Sequence, residues 1–356
     1  MASALRVLLT GGGSGGPTTP LIALAHTLRN RPALNPEFLF LGTKQGPEHD
    51  LVKKAGIEFR AIPSGKLRRY WDWRNLTDLF RVLLGGLAGW QELRDFRPHA
   101  VVSAGSFASV PVAYAARMLG APQILLQMDW CPGLANRLMA PVSQVLACHF
   151  LETGSAFKIA DWRLIGPVVR PEVLNANSEK ANAQFALDPQ RPLLLVTGGG
   201  QGAQDLNRTV SGLCEAWLAD FQVVHLTGRG QSPCGEWPGY HAHEFVSDGM
   251  GNLLARADLV ISRAGMGTVG ELAVLRKDTV LVPLPGTHQE ENAAALKRSG
   301  AVEVVSQTNL NAEWWSDFRS RWKRGSLGGR LAQVFPESGN EAFADLVLEH
   351  AKGRTA

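Results

Sequence analysis

Short, almost wholly apolar runs recur along the chain, and each is followed by small or polar residues. Residues 5–10, 192–197, 257–262 and 279–284 show none of the polar alternation of a strand with one solvent-facing side. Strands buried on both faces have this pattern, because helices cover both faces of a parallel sheet. Stretches with a helical pattern follow these runs. The chain therefore predicts an α/β fold with parallel sheets.

Polar groups gather directly after the last two of these runs. Residues 263–268 (RAGMGT) follow one run and residues 286–289 (GTHQ) follow the other, and each group opens a predicted helix. In open α/β sheets, ligands bind at the carboxyl ends of strands, where helix N-termini present free N–H groups. Glu271 can bind a ribose diol and Gln289 can reach sugar hydroxyls. Together the two strand ends predict a nucleotide-sugar pocket.

Each of these residues also has a simpler structural explanation. Gly265 and Gly267 suit an ordinary turn, and the helix dipole favours an acid such as Glu271 near a helix N-terminus. Short motifs are weak signals when they are taken singly. The joint arrangement at two successive strand ends favours the binding site.

Glycine-rich loops follow the first strand of each half of the chain. The first, residues 11–16, matches the GxGxxG pattern of dinucleotide sites, but no acid closes the second strand at 42–45 to hold a ribose. An NAD site is therefore disfavoured. The second, residues 198–203, lacks the Lys-Ser/Thr of an ATP-binding P-loop. Its N–H groups at a helix start can instead hold a diphosphate without a metal ion.

The chain is long enough for two domains that each bury their own core. Its 356 residues divide near Ile165, after which residues 166–171 have the composition of a connector. We expect an N-terminal domain over 1–165 and a C-terminal domain over 166–336. A helix predicted at 341–351, within the tail 337–356, is expected to pack back on the first domain.

Composition and charge narrow the class of protein. Hydrophobic residues make up 45% and charged residues 19% of the chain, as in a folded globular protein. The net charge of +4 favours an anionic ligand or surface but is not diagnostic of nucleic acid. The four cysteines form neither a CxxC pair nor a zinc spacing, and no signal peptide or membrane span is evident. We expect reduced thiols, no metal site and a cytoplasmic protein.

One basic and aromatic segment, residues 65–90, has two interpretations. Lys66, Arg68, Arg69, Trp71 and Trp73 precede a helix rich in leucine and phenylalanine. Basic side chains beside interfacial aromatic rings suit contact with an anionic membrane surface. A core-facing helix preceded by a solvated loop explains the same pattern equally well.

Two Rossmann-like halves, with the nucleotide determinants in the second, resemble the GT-B glycosyltransferase architecture, in which two doubly wound domains face each other across a cleft. A narrower resemblance, to the MurG family within glycosyltransferase family 28, spans roughly residues 5–305. It rests on spaced motifs in the family's order: GGSGG at 12–16 with Pro20, GKLRR at 65–69, GSFASVP at 105–111, PGLAN at 132–136, GGQGA at 199–203, RAGxxT at 263–268 with Glu271, and HQxxNA at 288–293.

The resemblance implies an inverting, metal-independent transfer by a protein bound peripherally at the cytoplasmic face of the cell membrane. N-acetylglucosamine would pass from UDP-N-acetylglucosamine to the muramoyl 4-hydroxyl of lipid I, an undecaprenyl-linked acceptor. The product would be lipid II for peptidoglycan. The implied partners are these two substrates and the anionic inner leaflet, with no cofactor and no nucleic acid.

The resemblance also assigns roles to individual residues. They are, for the diphosphate, Gly200, Gln201, Gly202 and Arg170; for uracil, Val246, Met250 and Arg263; for the ribose, Glu271; for the sugar, His288 and Gln289; and, elsewhere in the matched motifs, Ser14, Gly15, Asn136, Gly265, Thr268 and Asn292.

Two departures from the family pattern fall on the acceptor side. The family usually has His after the first glycine loop, where this chain has Pro17, and His-Glu where this chain has Leu126-Gln127. Neither position can abstract a proton here, and a general base typically contributes ~10²–10⁴ in rate. Asp129, in the pattern Asp-x-x-Pro-Gly-Leu-Ala-Asn, is the remaining candidate base among the side chains. A lipid phosphate or a water molecule is the alternative.

The same departures leave two other functions open. One is a related GT-B enzyme with a different lipid acceptor, and the other is a non-catalytic UDP-sugar-binding protein. Transfer to lipid I would argue against the first, and turnover with any acceptor would argue against the second.

Overall fold

The computed structural model describes residues 4–13, 15–32, 34–44, 46, 48–63, 74–157, 159, 161–199, 204–233, 235–246 and 248–351, with the backbone alone at 74–83. The chain divides into two compact units. Unit 1 comprises Met1–Val169 and Ser338–Ala356, and unit 2 comprises Arg170–Glu337.

Unit 1 contains a seven-stranded sheet with parallel strand pairs. Its strands are β1 (Leu5–Thr10), β2 (Pro36–Gly42), β3 (Glu58–Ala61), β4 (Ala100–Ser103), β5 (Gln123–Gln127), β6 (Val145–Cys148) and β7 (Trp162–Leu164). The spatial order is β3-β2-β1-β4-β5-β6-β7. The helices between them are α1 (Gly15–Arg29), α2 (Glu48–Lys54), α3 (Arg74–Phe96), α4 (Ser109–Met118), α5 (Leu134–Met139) and α6 (Leu151–Ala156).

Both faces of this sheet are buried. On one face Val7 and Leu9 pack in the same core cluster as Leu24 of α1. On the other face Leu8 packs in the same cluster as Val112 of α4. Because helices cover both faces, the successive residues Val7, Leu8 and Leu9 of β1 are all apolar, which explains the lack of alternation in its sequence.

Helix α1 begins earlier than the sequence predicts. The pattern predicts a start at Pro20, because proline is favoured in the first turn. The helix instead begins at Gly15 and contains Pro20 in its second turn. Proline has no N–H, so Pro20 cannot donate to the carbonyl of the residue four positions earlier. The Thr19 hydroxyl donates to the Gly15 carbonyl (2.8 Å), which satisfies one acceptor of this first turn.

Unit 2 contains a six-stranded parallel sheet in the order β10-β9-β8-β11-β12-β13. Its strands are β8 (Leu193–Thr197), β9 (Gln222–Leu226), β10 (Tyr240–His243), β11 (Leu259–Ser262), β12 (Asp278–Leu281) and β13 (Glu303–Val304). Its helices are α7 (Pro171–Leu174), α8 (Ser178–Gln184), α9 (Gln204–Leu218), α10 (Met250–Arg256), α11 (Met266–Val274), α12 (His288–Arg298), α13 (Ala312–Arg321) and α14 (Gly328–Val334).

Strand order reverses between β1 and β4 in unit 1 and between β8 and β11 in unit 2. In doubly wound sheets this reversal opens a crevice at the carboxyl ends of the two strands, where ligands bind. The glycine loops follow β1 and β8, while the Gly105 turn follows β4 and Arg263 follows β11. The predicted α/β class with two doubly wound sheets is confirmed.

Strand β10 ends before the sequence predicts. The pattern predicts a strand over 242–246, because Ala242, Phe245 and Val246 are apolar. The strand is Tyr240–His243, and residues 244–246 leave the sheet. The main chain of Gly228 still donates to the Glu244 carbonyl (3.0 Å), so this segment stays attached to the turn after β9. Half-buried residues on both faces of β10 hide its bounds from a pattern of hydrophobicity.

The last helix, α15 (Asn340–Ala351), belongs to unit 1 and packs on α1. The Asn340 side chain donates to the Val169 carbonyl (2.8 Å) and accepts from the Val169 N–H (3.0 Å). Arg31 at the end of α1 forms ion pairs with Glu341 and Asp345 (both 2.6 Å). Within the described ranges, none of the helices has both the length and the apolar character needed to span a bilayer.

Candidate active site

Glu271 and Arg170 form a paired charge in unit 2. Glu271 lies in α11 with its side chain 7% exposed, and both of its carboxylate oxygens accept from Arg170, at 2.6 Å from Nε and 2.8 Å from a terminal nitrogen. The other terminal nitrogen of Arg170 donates to Glu172 (2.6 Å). Burial lowers the pKa of Arg170, but the hydrogen bonds and charge of Glu271 outweigh burial and raise that pKa overall. Arg170 is therefore charged, and its two hydrogen bonds hold the side chain of Glu271 in one orientation.

Arg263 joins the ends of two neighbouring strands. It follows β11, is 8% exposed, and donates to the carbonyl of Val282 just beyond β12 (3.0 Å). Burial lowers the pKa of its guanidinium. One terminal nitrogen of Arg263 is thus used in a structural hydrogen bond. The guanidinium remains a cation at this edge of the sheet, because its ordinary pKa is very high.

The N-terminus of α11 is open above its first turn. Gly265 is the N-cap residue, and Gly267 and Thr268 lie in the first turn. A Cβ placed on Gly265 or Gly267 would meet no atom of the described residues within 4 Å. Close packing against this part of the chain therefore does not explain these glycines. They leave the free N–H groups of the helix end accessible to an anion.

The N-terminus of α12 is built in the same region. Thr287 caps it by accepting from the Gln289 N–H (3.3 Å), and the Gln289 side chain accepts from the Leu284 N–H (3.1 Å). Asn292, one turn on, donates to the Ala264 carbonyl (3.2 Å), which ties α12 to the loop before α11. His288 is exposed at the first position of the helix. The loops after β11 and β12 thus form one edge, as the sequence predicts.

The segment expected near uracil is stabilised by the turn after β9. The Gly230 N–H donates to the Glu244 carboxylate (2.9 Å), and the Arg229 guanidinium lies 4.5 Å from the centre of the Phe245 ring. Val246 and Met250 are half-buried, and Met250 begins α10. The diphosphate candidates Gly200, Gln201 and Gly202 lie outside the described residues.

Unit 1 brings together the other candidates at the ends of β1, β4 and β5. Asp129 follows β5 and is half-buried, and Asn136 is buried in α5. Asn136 donates to the Gln127 side chain (2.6 Å) and to the Leu126 carbonyl (3.2 Å). Gly15 begins α1, while Ser14 and the membrane candidates Lys66, Arg68, Arg69, Trp71 and Trp73 lie outside the described residues.

Hydroxyls tie the turns after β1 and β4 together. The Thr10 hydroxyl donates to the Ser109 hydroxyl (3.3 Å), which donates to the Gly105 carbonyl (2.8 Å). Gly105 has φ 107° and Ser106 has φ 86°, so the chain turns in a conformation that glycine adopts readily and serine does not. The Gly105 motif is therefore a strained turn beside Asn136.

Two buried polar side chains, Glu48 at the start of α2 and Gln127 at the end of β5, are not among the predicted site residues. Glu48 accepts from the N–H groups of Gly13 (3.2 Å) and Thr43 (2.9 Å), beneath the first glycine loop. Gln127 donates to two loop carbonyls. The sequence contains a pattern that could have indicated Gln127, because this polar residue directly follows the apolar residues of the strand QILLQ. The sequence contains no pattern that distinguishes Glu48 as a site residue, because an acid is common at any helix start. In the described part of the chain no three His, Cys, Asp or Glu side chains group as a metal site.

Known proteins are similar to this chain in both sequence and fold. Residues 7–146 match the glycosyltransferase family 28 N-terminal domain, and residues 193–316 match its C-terminal domain. Two curated relatives are named UDP-N-acetylglucosamine--N-acetylmuramyl-(pentapeptide) pyrophosphoryl-undecaprenol N-acetylglucosamine transferase. The relative from Clostridium perfringens is 34% identical over 86% of this chain and 87% of its own length. The relative from Lachnoclostridium phytofermentans is 36% identical over 86% and 88%.

Solved structures of glycosyltransferases have the same architecture. MurG from Acinetobacter baumannii superposes with a TM-score of 0.75 at 22% identity, over 97% of this chain and 99% of that one. The calicheamicin glycosyltransferase CalG4 superposes with a TM-score of 0.71 at 17% identity, over 99% and 100%. These matches show the GT-B fold, while the curated relatives show the narrower kinship. The chain therefore belongs to glycosyltransferase family 28 and, within it, to the MurG family of peptidoglycan-synthesis glycosyltransferases.

Proposed function

We propose that this protein transfers N-acetylglucosamine from UDP-N-acetylglucosamine to the muramoyl 4-hydroxyl of lipid I, forming lipid II. The acceptor oxygen bonds to the anomeric carbon as the bond from that carbon to the phosphate oxygen breaks, which inverts the configuration. UDP leaves with the bonding electron pair, and the hydroxyl proton passes to a base. Membership of the family over 86% of the chain carries the proposal, since the relatives' name states this donor and acceptor.

In this proposal unit 2 binds the donor. Each oxygen of the Glu271 carboxylate has a further lone pair beyond the one that Arg170 uses, so the carboxylate can accept from ribose hydroxyls. Val246, Met250 and Arg263 contact uracil, from the edge formed after β10 and β11. The pre-paired Glu271 does not need to be ordered by the ligand, which lowers the entropic cost of binding.

The leaving diphosphate is stabilised by helix ends in place of a metal ion. The N-termini of α11 and α12 each carry about half a positive charge, and negative charge grows on UDP as the glycosidic bond breaks. Gly265 and Thr268 present one of these ends, and His288, Gln289 and Asn292 present the other to the sugar. Gly200, Gln201 and Gly202 complete the diphosphate site in this proposal.

Unit 1 binds the acceptor, and Asp129 is the proposed base. Asp129 lies on the loop after β5, beside the buried pair formed by Gln127 and Asn136. Gly15, the first residue of α1, and Ser14, which precedes it in the sequence, are the other acceptor-side candidates of unit 1. A carboxylate at this loop can accept the hydroxyl proton that neither Pro17 nor Gln127 can take.

A turnover assay tests this function. It uses UDP-N-acetylglucosamine and a lipid I analogue with a short, soluble tail, and compares the wild type with Glu271→Ala and Asp129→Ala. We expect wild-type formation of the lipid II analogue, a large loss in Glu271→Ala through weaker donor binding, and a ~10²–10⁴-fold loss of kcat in Asp129→Ala. Glu152→Ala removes an exposed carboxylate from α6 of the same unit and serves as the matched control.

The outcomes separate the alternatives. Turnover lost only in Glu271→Ala keeps the function and removes Asp129 as the base. A wild type that binds UDP but turns over no lipid I contradicts the proposal and favours another acceptor or a binding role.

We further propose that unit 1 docks on the anionic inner leaflet through the outer faces of α3, α4 and α5. Leu84 and Leu87 of α3, Tyr114 and Met118 of α4, and Leu134 and Leu138 of α5 are each at least 40% exposed. Their spacings of three or four residues place each pair on one face of its helix. The helices pack side by side, and Arg117 and Arg137 are exposed near them. Lys66, Arg68, Arg69, Trp71 and Trp73 add the basic and aromatic groups that precede α3.

Vesicle co-sedimentation tests the docking surface. Leu87→Glu with Met118→Glu, and separately Arg68, Arg69 and Trp71 changed to Ala, should each lower binding to phosphatidylglycerol vesicles several-fold, because apolar burial and charge both contribute. Leu174→Glu alters a comparably exposed leucine, 45% exposed in unit 2, and should bind as the wild type does. Unchanged binding in both test variants would contradict docking through this surface.

A further inference from the structure

Gln127, the last residue of β5, is 2% exposed and makes three side-chain hydrogen bonds. Its Nε2 donates to the carbonyls of Asp129 (2.7 Å) and Cys131 (3.3 Å) in the loop that follows the strand. Its Oε1 accepts from Nδ2 of Asn136 (2.6 Å) in α5. One buried amide thus connects two residues of the loop 128–133 to the helix that the loop leads into.

The orientation of both amides follows from their partners. Backbone carbonyls only accept, so the NH₂ group of Gln127 must face Asp129 and Cys131. The side-chain oxygen of Gln127 then faces Asn136, so Asn136 must donate to it from its own NH₂ group. The Leu126 carbonyl accepts from the same NH₂ group (3.2 Å) and fixes the same orientation independently. Rotating either amide by half a turn would place oxygen against oxygen in a buried site.

This orientation directs the remaining oxygen of Asn136 to one place. Oδ1 is buried, and no described residue donates a hydrogen bond to it. It lies beside the turn after β4, where a Cβ on Gly105 would be 3.3 Å away. An amide oxygen buried without a donor is energetically unfavourable unless a ligand supplies one. The geometry therefore presents an acceptor for a hydroxyl or an amide N–H.

We propose that Gln127 is a positioning residue for the acceptor substrate: it holds the loop that carries Asp129 and turns Oδ1 of Asn136 toward a hydroxyl or amide N–H of the acceptor. This role rests on the proposed function, in which unit 1 binds lipid I. Gln127 touches no reacting atom and acts through Asp129 and Asn136. It supplies the donor groups that a carboxylate at this position lacks, since an ionised acid only accepts.

A matched pair of substitutions on one strand tests the role. Gln123 begins β5, is 1% exposed, and neither of its side-chain polar atoms has a hydrogen-bond partner among the described residues. Gln127→Met and Gln123→Met therefore make the same change in equally buried sites of the same strand. The readouts are the KM for the lipid I analogue, the KM for UDP-N-acetylglucosamine, UDP binding by calorimetry, and hydrogen exchange of residues 128–136.

We expect Gln127→Met to raise the acceptor KM about tenfold or more, because misplacement of a binding loop by an ångström has effects of this size. The donor KM and UDP affinity should stay within about twofold of wild type, and amides at 128–136 should exchange faster, since the contacts of Gln127 all lie in unit 1. Gln123→Met should change neither the acceptor KM nor this exchange. Wild-type acceptor KM in folded Gln127→Met, or equal losses for both substrates, would overturn the proposal.

Failure of this inference is distinguishable from failure of the proposed function. If the wild type does not turn over lipid I, the proposed function fails and the acceptor role fails with it. If the wild type turns over lipid I and Gln127→Met matches it in acceptor KM, only the role of Gln127 fails.

Discussion

At the scale of single residues, Glu271 and Arg170 act as one group. The carboxylate is almost fully buried, and both of its oxygens are bonded to the guanidinium. Breaking such a pair leaves one charge buried without its partner, which is more unfavourable than never forming the pair. Any substitution at either position therefore changes the geometry of the other.

Replacing Glu271 by glutamine should weaken donor binding. The amide side chain would keep one acceptor oxygen, lose the negative charge, and point an NH₂ group at Arg170, so one of the two hydrogen bonds from Arg170 is lost and the other is weakened. We expect the KM for UDP-N-acetylglucosamine to rise roughly 10–100-fold, because a hydrogen bond to a charged group contributes about 1.5–3 kcal/mol. Glu172→Gln is the control, because Glu172 also pairs with Arg170 but is more exposed. Equal KM values in the two variants would contradict a specific role for Glu271.

Two buried histidines should make stability depend on pH. Burial lowers the pKa of His149 and of His225 from 6.5 to about 4. The unfolded chain binds these protons near pH 6.5 and the folded chain only near pH 4, so the unfolded state holds more protons within that window. The free energy of unfolding should therefore be constant above about pH 6.5 and fall as the pH decreases toward 4, by up to ~3 kcal/mol per histidine.

Urea unfolding at about pH 7.5, 6 and 5, which spans the titration window, measures this dependence. His225 accepts from the Tyr240 hydroxyl (2.8 Å) and donates to the Asn207 side chain (3.0 Å), since the Asn207 NH₂ group already donates to Thr227. His225→Gln should be less stable at about pH 7.5 but should lose less stability than the wild type as the pH falls to about 5. A parallel decline in both proteins would show that His225 does not titrate in this range.

At the scale of elements, one side chain attaches the last helix to its unit. Asn340 makes two hydrogen bonds to the main chain of Val169, and all the groups are buried. Asn340→Ala leaves a buried N–H and a buried carbonyl unpaired, so we expect unfolding of unit 1 to become easier by about 2–4 kcal/mol.

Denaturant unfolding compares this variant with Asp345→Ala. Asp345 also links α15 to α1, but its side chain is 69% exposed, and an exposed ion pair contributes only about 0–1 kcal/mol. If both variants lost the same stability, the buried hydrogen bonds between Asn340 and Val169 would contribute no more than the exposed ion pair between Asp345 and Arg31.

The elements also show which parts of the fold a sequence can predict. Strands β1 and β4 have the bounds that their sequences predict, 5–10 and 100–103, because the residues buried at the centre of each strand are apolar. The predicted start of α1 was wrong, because no apolar period runs through Gly-Gly-Pro-Thr-Thr. Strand β7 went unpredicted, since its three residues are half-buried or exposed.

The candidate site divides in the same way. Glu271 and Gln289 were predictable, because helix starts after parallel strands lie at one edge of a sheet. The pairing of Glu271 with Arg170 was not, since the two residues are 101 positions apart and no local pattern links them. The amide contacts of Gln127 were equally hidden, because they depend on how the loop 128–133 folds back on the strand end.

At the scale of the whole molecule, unit 2 is an insertion into unit 1. The chain leaves unit 1 at Val169 and returns at Ser338. These two points are neighbours, because the Gly339 N–H donates to the Pro167 carbonyl (2.9 Å) and Asn340 bonds Val169. Unit 2 has its own core, which includes Trp217, Phe221 and Phe318. A unit with its own core and closely placed ends can fold alone.

The separate fragment 170–337 should therefore fold and bind UDP. All the proposed uracil, ribose and diphosphate contacts lie within it, so we expect its Kd for UDP to be within about tenfold of that of the full chain. Circular dichroism establishes folding and calorimetry measures Kd, with Glu271→Gln in both proteins as the control for binding at the proposed site. A folded fragment that does not bind UDP, beside a full chain that does, would mean that unit 1 supplies essential nucleotide contacts. Binding by the fragment would place the whole nucleotide site in unit 2 and leave unit 1 to the acceptor and the membrane.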